Sequence, residues 1–155
     1  MKLAEALLLR SDLKKKLASL RERVTANAIV QQGEKPHEDP VKLLKEGTAV
    51  LDQMETLVLA INTANLSSRL SDGRSLAEVI ARRDKLVQQH SLLQTGVEGS
   101  KRDPIRYGLK EIKWVTKVDV AKLQKQSDDL ARQIREINAV IQETNWQIEV
   151  EVETE

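Results

Sequence analysis

The sequence predicts a mainly α-helical chain, an antiparallel bundle of about four long helices with a short β-hairpin inserted before the last one. Apolar residues recur at alternating spacings of three and four over long stretches, as in coiled-coil stripes. Aromatic residues are only 2 % with no Phe, so the core must be aliphatic. Charged residues make up 32 %, enough to solvate the outer faces of long helices. A length of 155 residues suits one domain. The expected division is a single helical domain over 1–148, its β insert around 104–118, and an acidic tail over 149–155.

The first helix is expected from about Leu3 to about Gln32, with Leu3, Ala6, Arg10, Leu13, Leu17, Leu20, Val24, Asn27 and Gln31 on its seam. Arg10, Asn27 and Gln31 are polar where apolar residues belong. Gly33 ends the helix, and Asp39-Pro40 starts the next: Asp caps free backbone N–H groups and Pro fits the first helical position. The second seam reads Leu44, Gly47, Leu51, Met54, Val58, Ile61 and Asn65, again turning polar at its end beside Asn62. A turn follows at Ser71-Asp72-Gly73. Ser75 and Glu78 form a capping-box pattern for a third helix running to about Thr95. Its inner residues are Leu76, Val79, Ile80, Leu86, Val87 and Leu93, with Arg83 and His90 on the same side. Short connections make successive helices antiparallel neighbours.

Between Gly96 and Asp119 the helical pattern lapses. Ile112, Trp114, Thr116 and Val118 alternate with Lys113, Val115 and Lys117, a period of two that suggests a strand hairpinned with Ile105–Tyr107 through Gly108. Asp119 caps the fourth helix, whose seam is the cleanest in the chain: Val120, Leu123, Ser127, Leu130, Ile134, Ile137, Ile141, Thr144 and Ile148. Beyond it, Glu alternates with Val in an edge strand or a disordered tail.

Composition excludes several chemistries. A net charge of +1 gives no global basic field, so nonspecific nucleic-acid binding is not expected. Without cysteine there is no disulfide, thiolate metal site or cysteine nucleophile. Met1-Lys2-Leu3 leads straight into an amphipathic helix without an apolar core and small-residue cleavage site, so secretion is not expected, and no apolar run approaches the roughly 20 residues that span a bilayer. A cytoplasmic protein is therefore expected. No GxxxxGK[ST], GxGxxG or G-x-S-x-G motif occurs. His37 and His90 lack a metal-ligand partner at i+4, so no metal and no cofactor is expected. Carboxylates on helical surfaces carry no catalytic signal, and an enzyme is the weakest class.

The remaining polar residues are weighed against plainer roles. Asn27 and Gln31 would fix helix register, or line a cavity where polar helix ends meet. Asn62 and Asn65 lie at the opposite end of the first hairpin, so one site using both sets requires another subunit or a different helix order. Arg83, beside Arg82 and Asp84, would need an anion if buried: a protein carboxylate or a ligand. Arg106, Tyr107 and Lys113 belong to a basic, aromatic stretch that could hold phosphate, or equally to a hairpin whose lysines protect its edge. Trp146 is expected to anchor the end of the fourth helix.

The segments MKLAEALLLRSDL, NAIVQQGEKPHEDP, INTAN, ARRDKL, RYGLKEIKWVTKVDVAKLQKQSDDL and REINAVIQETNW resemble a small bacterial family of unknown function, some members of which carry the name septicolysin. The resemblance covers Met1 to about Trp146. It implies a compact, oligomeric helical protein with a small β element, found in bacteria and their mobile elements, and no established chemistry. The family pattern falls on Arg10, Asn27, Gln31, Asp39, Asn62, Asn65, Arg83, Asp84, Arg106, Tyr107, Glu111, Lys113 and Asp119. Gly108-Leu109-Lys110 and Gly47 depart from it. A haemolytic activity is not carried over, because the chain has no membrane-inserting segment.

The functional expectation is a non-enzymatic, homo-oligomeric binding protein. It would hold a small anionic, nucleotide-like ligand in a polar pocket lined by Arg10, Asn27, Gln31, Asn62, Asn65, Arg83, Arg106, Tyr107 and Lys113, and sequestration of a signalling nucleotide is one use of such a pocket. The alternative is a helical structural or adaptor protein that pairs with a partner protein, its polar seam residues only setting register.

Overall fold

The structure, a computed structural model, describes residues 1–101 and 114–152. It contains four helices: α1 (Leu3–Asn27), α2 (Pro40–Ser67), α3 (Leu76–Ser100) and α4 (Val120–Gln147). The chain forms two compact units, Met1–Leu76 with Gln142–Glu155, and Ala77–Ile141.

In the first unit α1 and α2 make an antiparallel hairpin. Lys16 pairs with Glu46 at 2.9 Å, and Arg23 pairs with Glu38 nearer the connection. Leu3, Ala6, Leu13 and Leu20 of α1 are buried, as their heptad spacing predicts. Ile61 of the expected α2 seam is buried, but over 43–58 the buried positions are displaced by one residue from the expected ones. Leu43, Val50, Leu57, Ile61 and Ala64 are buried, whereas Leu44 and Leu51 are 57 % and 48 % exposed. The sequence pairs apolar residues at 43–44, 50–51 and 57–58, so two adjacent stripes have nearly the same period. Contact with α1 selects the first.

Helix α1 also stops at Asn27, short of the expected Gln32. The Asn27 side chain donates from Nδ2 to the Arg23 carbonyl at 2.8 Å, and its Oδ1 accepts the Glu38 backbone N–H at 3.0 Å. The side chain thus ties the connection to the helix end. Gly33 lies in the following turn with φ 91°, a conformation glycine adopts without strain. Asp39 caps α2 as expected, accepting from the Val41 N–H at 2.9 Å, with Pro40 at the first helical position. The Ser71–Gly73 turn also forms, closed by the Leu70 N–H on the Arg74 carbonyl at 2.9 Å.

The two ends of the described chain meet in this unit. Leu3 N–H donates to the Ile148 carbonyl at 3.0 Å and Val150 N–H to the Met1 carbonyl at 2.8 Å, around one antiparallel bridge between Lys2 and Glu149. Val150 is buried. The alternating tail is therefore paired at its start, through a single bridge.

In the second unit α3 runs to Ser100, beyond the expected Thr95. Val79, Leu86 and Val97 are buried from α3, and Ser127, Leu130 and Ile141 from α4. Ser127 is fully buried and its hydroxyl accepts from Gln94 Nε2 at 2.6 Å, which explains a serine on an apolar seam. Asp119 caps α4 by accepting the Lys122 N–H at 3.0 Å. The α4 seam matches its expectation: Val120, Leu123, Ile134 and Ile137 are half-buried along the same stripe.

The expected β-hairpin is not supported. No strand occurs among the described residues, and Trp114–Val118, the described part of the alternating segment, is exposed without a ladder partner among them. Period-two alternation marks a strand only where another strand supplies hydrogen bonds. The other arm, at 105–107, lies outside the described residues.

Candidate functional site

Six of the nine expected ligand residues lie among the described residues, and within the first unit Asn27 and Gln31 stand at one end of the hairpin and Asn62 and Asn65 toward the other, as expected. Asn27 is buried but both ends of its amide serve the α1–α2 connection. Gln31 lies off the helix, exposed, its carbonyl accepting the Glu34 N–H. Asn62 is exposed and Asn65 half-buried near the other end of α2. Glu38, beside Asn27, is separated from Asn62 by roughly 36 Å of chain axis at about 1.5 Å per residue.

Arg10 is half-buried between the buried Ala6 and Leu13, and no ion pair joins it to a described residue. The Lys16–Glu46 pairing places it level with residues 52–54 of α2, about 12 Å or more from Asn62 by helical rise. Arg83 belongs to the second unit. It is half-buried, and its guanidinium forks onto the Asp84 carboxylate at 2.9 and 2.7 Å. Asp84 supplies the anion that an inward arginine requires. Arg106, Tyr107 and Lys113 lie outside the described residues.

The resolved electrostatic shifts belong to structural pairs. Arg23 holds the Glu38 carboxyl below its ordinary range by hydrogen bonding, and Glu38 raises the Arg23 guanidinium in return. Arg74 lowers Asp72 beside the Gly73 turn. Lys2 lowers Glu149, helped by the charge of the amino terminus. Among the described residues no cluster of three or more His, Asp or Glu side chains could hold a metal. A groove of about 580 Å³ beside the tail is lined by Thr56, Thr63 and Ser67, but Glu149 and Glu151 rim it and would repel an anion. No helix among the described residues is long and apolar enough to cross a membrane.

The stripe of α2 that holds Leu44 and Leu51, expected to face inward, is open instead. Val41, Leu44, Leu51, Leu59 and Leu66 are all substantially exposed. At about 100° per residue they fall within roughly 80° of one another. Beside Leu44 and Leu51 runs an open groove of about 360 Å³, walled on the α1 side by Leu17 and Val24 and floored by Gly47. The signal in the sequence was the doubling of apolar residues at 43–44 and 50–51. Two faces of α2 are apolar, and α1 covers one of them.

None of the curated proteins matches the chain. A crystal structure of a functionally unknown conserved protein from Corynebacterium diphtheriae is similar to it, with a TM-score of 0.89 and 31 % identity over 97 % of this chain and 99 % of that one. The model of a family of unknown function (DUF6847) matches residues 10–150, and the chain belongs to that family.

Proposed function

We propose that this chain is a non-enzymatic helical interaction protein whose working surface is the open apolar face of α2, paired with another protein. One observation carries the reading: five large aliphatic side chains are exposed in one stripe along a 28-residue helix whose opposite face is already buried. The exposed Thr48, Glu55 and Asn62 interrupt the stripe, which is densest at Val41, Leu44 and Leu51, and exposed apolar surface of this kind marks association sites. The polar seam residues support the same reading, because Asn27 and Ser127 spend their hydrogen bonds on the chain itself.

A photo-crosslinking amino acid placed at exposed position 48, beside the groove, tests it in living cells. Discrete protein adducts are expected. Their absence, with normal crosslinker incorporation, overturns the reading.

A second reading, a small anionic or nucleotide-like ligand held by the chain, is supported by Arg10, a half-buried guanidinium on an apolar seam with no carboxylate partner among the described residues. Thermal shift against phosphate and a nucleotide panel tests it. Stabilisation by one ligand, abolished in Arg10→Ala, supports it. No shift with any of them overturns it.

A further inference from the structure

We infer that the partner seated on this face is a second copy of the same chain, packed antiparallel about a two-fold axis between Gly47 and Thr48. The inference rests on the interaction reading above and names its occupant.

The groove is self-complementary. It offers a depression over Gly47, where a Cβ would only reach ordinary contact with Leu17 Cδ1 at 4.0 Å, and it offers two ridges, Leu44 and Leu51, one on each side. An antiparallel copy related by that axis sets Leu44 opposite the partner's Leu51, and the reverse. Leu44 of each copy then packs on Leu51 of the other, on either side of the facing Gly47 and Thr48 positions, as an isologous interface requires. Within the hairpin this face is open; two hairpins pairing through it make a four-helix layer that covers the amino-terminal half of each α2 stripe, Val41, Leu44 and Leu51.

Charge around the groove fits the same axis. Lys16 and Arg23 already hold carboxylates within the hairpin. Arg21, Lys45, Asp52 and Glu55 are exposed, and no ion pair joins them to any described residue. The bases lie on one side of the axis and the acids on the other. In an antiparallel copy Lys45 comes within a turn of the partner's Asp52. Arg21, which lines the groove, comes to the level of the partner's Glu55. Each pairing occurs twice. A parallel in-register copy would instead set Lys45 beside Lys45 and Asp52 beside Asp52, which disfavours it.

Light scattering on the purified full chain, across a concentration series, provides the first measurement. A mass of twice the 17.5 kDa chain is expected, and a monomer at every soluble concentration overturns the proposal. Exposed-site variants then test face and register without touching the core. Thr48→Cys, in a chain with no other cysteine, is expected to give a disulfide-linked dimer on mild oxidation. A dimer that stays unlinked uses another face. Lys45→Glu and Asp52→Lys should each raise the dimer dissociation constant roughly tenfold, since each sets two like-charge contacts, and the double variant should restore it. Failure of the restoration overturns the antiparallel register. A monomeric chain that still crosslinks in cells through position 48 to a different protein leaves the interaction reading standing and removes only the second copy.

Discussion

Asn27 shows how one amide decides where an element ends. Its Nδ2 returns to the Arg23 carbonyl while its Oδ1 holds the Glu38 N–H, so the chain turns at residue 27 although the heptad pattern continues to Gln31. Replacing it by alanine leaves a part-buried backbone N–H without its acceptor. Asn27→Ala is expected to cost about 1–3 kcal/mol in denaturant-measured stability. Glu149 makes a second residue-scale prediction. Its pKa is lowered in the folded chain by hydrogen bonding to Lys2. The stabilisation it contributes is therefore complete above the ordinary carboxylate pKa of 4.5 and disappears as pH falls through the lower folded value. In Glu149→Gln that part of the acid-side slope should vanish, so wild type and variant converge in stability once pH falls below the folded-state pKa. A difference that persists unchanged at that pH contradicts the assignment.

At the scale of elements, α2 carries two apolar stripes and the sequence does not label them. Heptad spacing made the helix and its start at Asp39-Pro40 legible, yet it selected Leu44 and Leu51 where Leu43 and Val50 are buried. Which stripe turns inward is settled by the long-range fit to α1, which no local period contains. Helix α4 was easier because it has a single stripe, and even its polar Ser127 is explained by Gln94. Asn27 and Ser127 show a related limit of the sequence: a polar residue on a seam signals an unusual position without saying whether its partner is a ligand or the chain's own groups. Substitutions separate the two α2 faces. Leu57→Ala, fully inside, should lose about 2–5 kcal/mol, while Leu51→Ala should change the stability of the single chain by about 0.5 kcal/mol or less. Gly47→Ala should act in opposite directions. It gains up to about 1 kcal/mol of helix propensity with room for its Cβ against Leu17, but it adds a methyl beside the two-fold axis, where the paired α2 helices face each other. Thermal denaturation of dilute protein and the dimer dissociation constant should therefore both increase.

At the scale of the molecule, the first unit is assembled from the two ends of the sequence. Alternation of Glu and Val in the tail hinted at extended chain, but the sequence could not show what it would pair with, because Met1–Leu3 is far from it in sequence and carries no strand pattern of its own. The clasp consists of the Val150 N–H on the Met1 carbonyl, the Leu3 N–H on the Ile148 carbonyl, and the buried Val150 side chain beneath them. Leu3, which is fully buried, starts α1 directly at this clasp, so the first turn of the helix depends on a segment that ends the described chain. Val150→Ala removes two buried carbon groups and leaves a small void, a loss of about 2 kcal/mol. Because the backbone bonds remain available, the effect should be local before it is global. Hydrogen exchange at the Leu3 amide is expected to accelerate, while the Leu13 and Leu20 amides, held within α1 and packed on α2, should exchange only as fast as global unfolding requires. Uniform acceleration along α1 would mean that the clasp and the hairpin unfold as one cooperative unit, and that the carboxyl-terminal segment contributes to the whole first core.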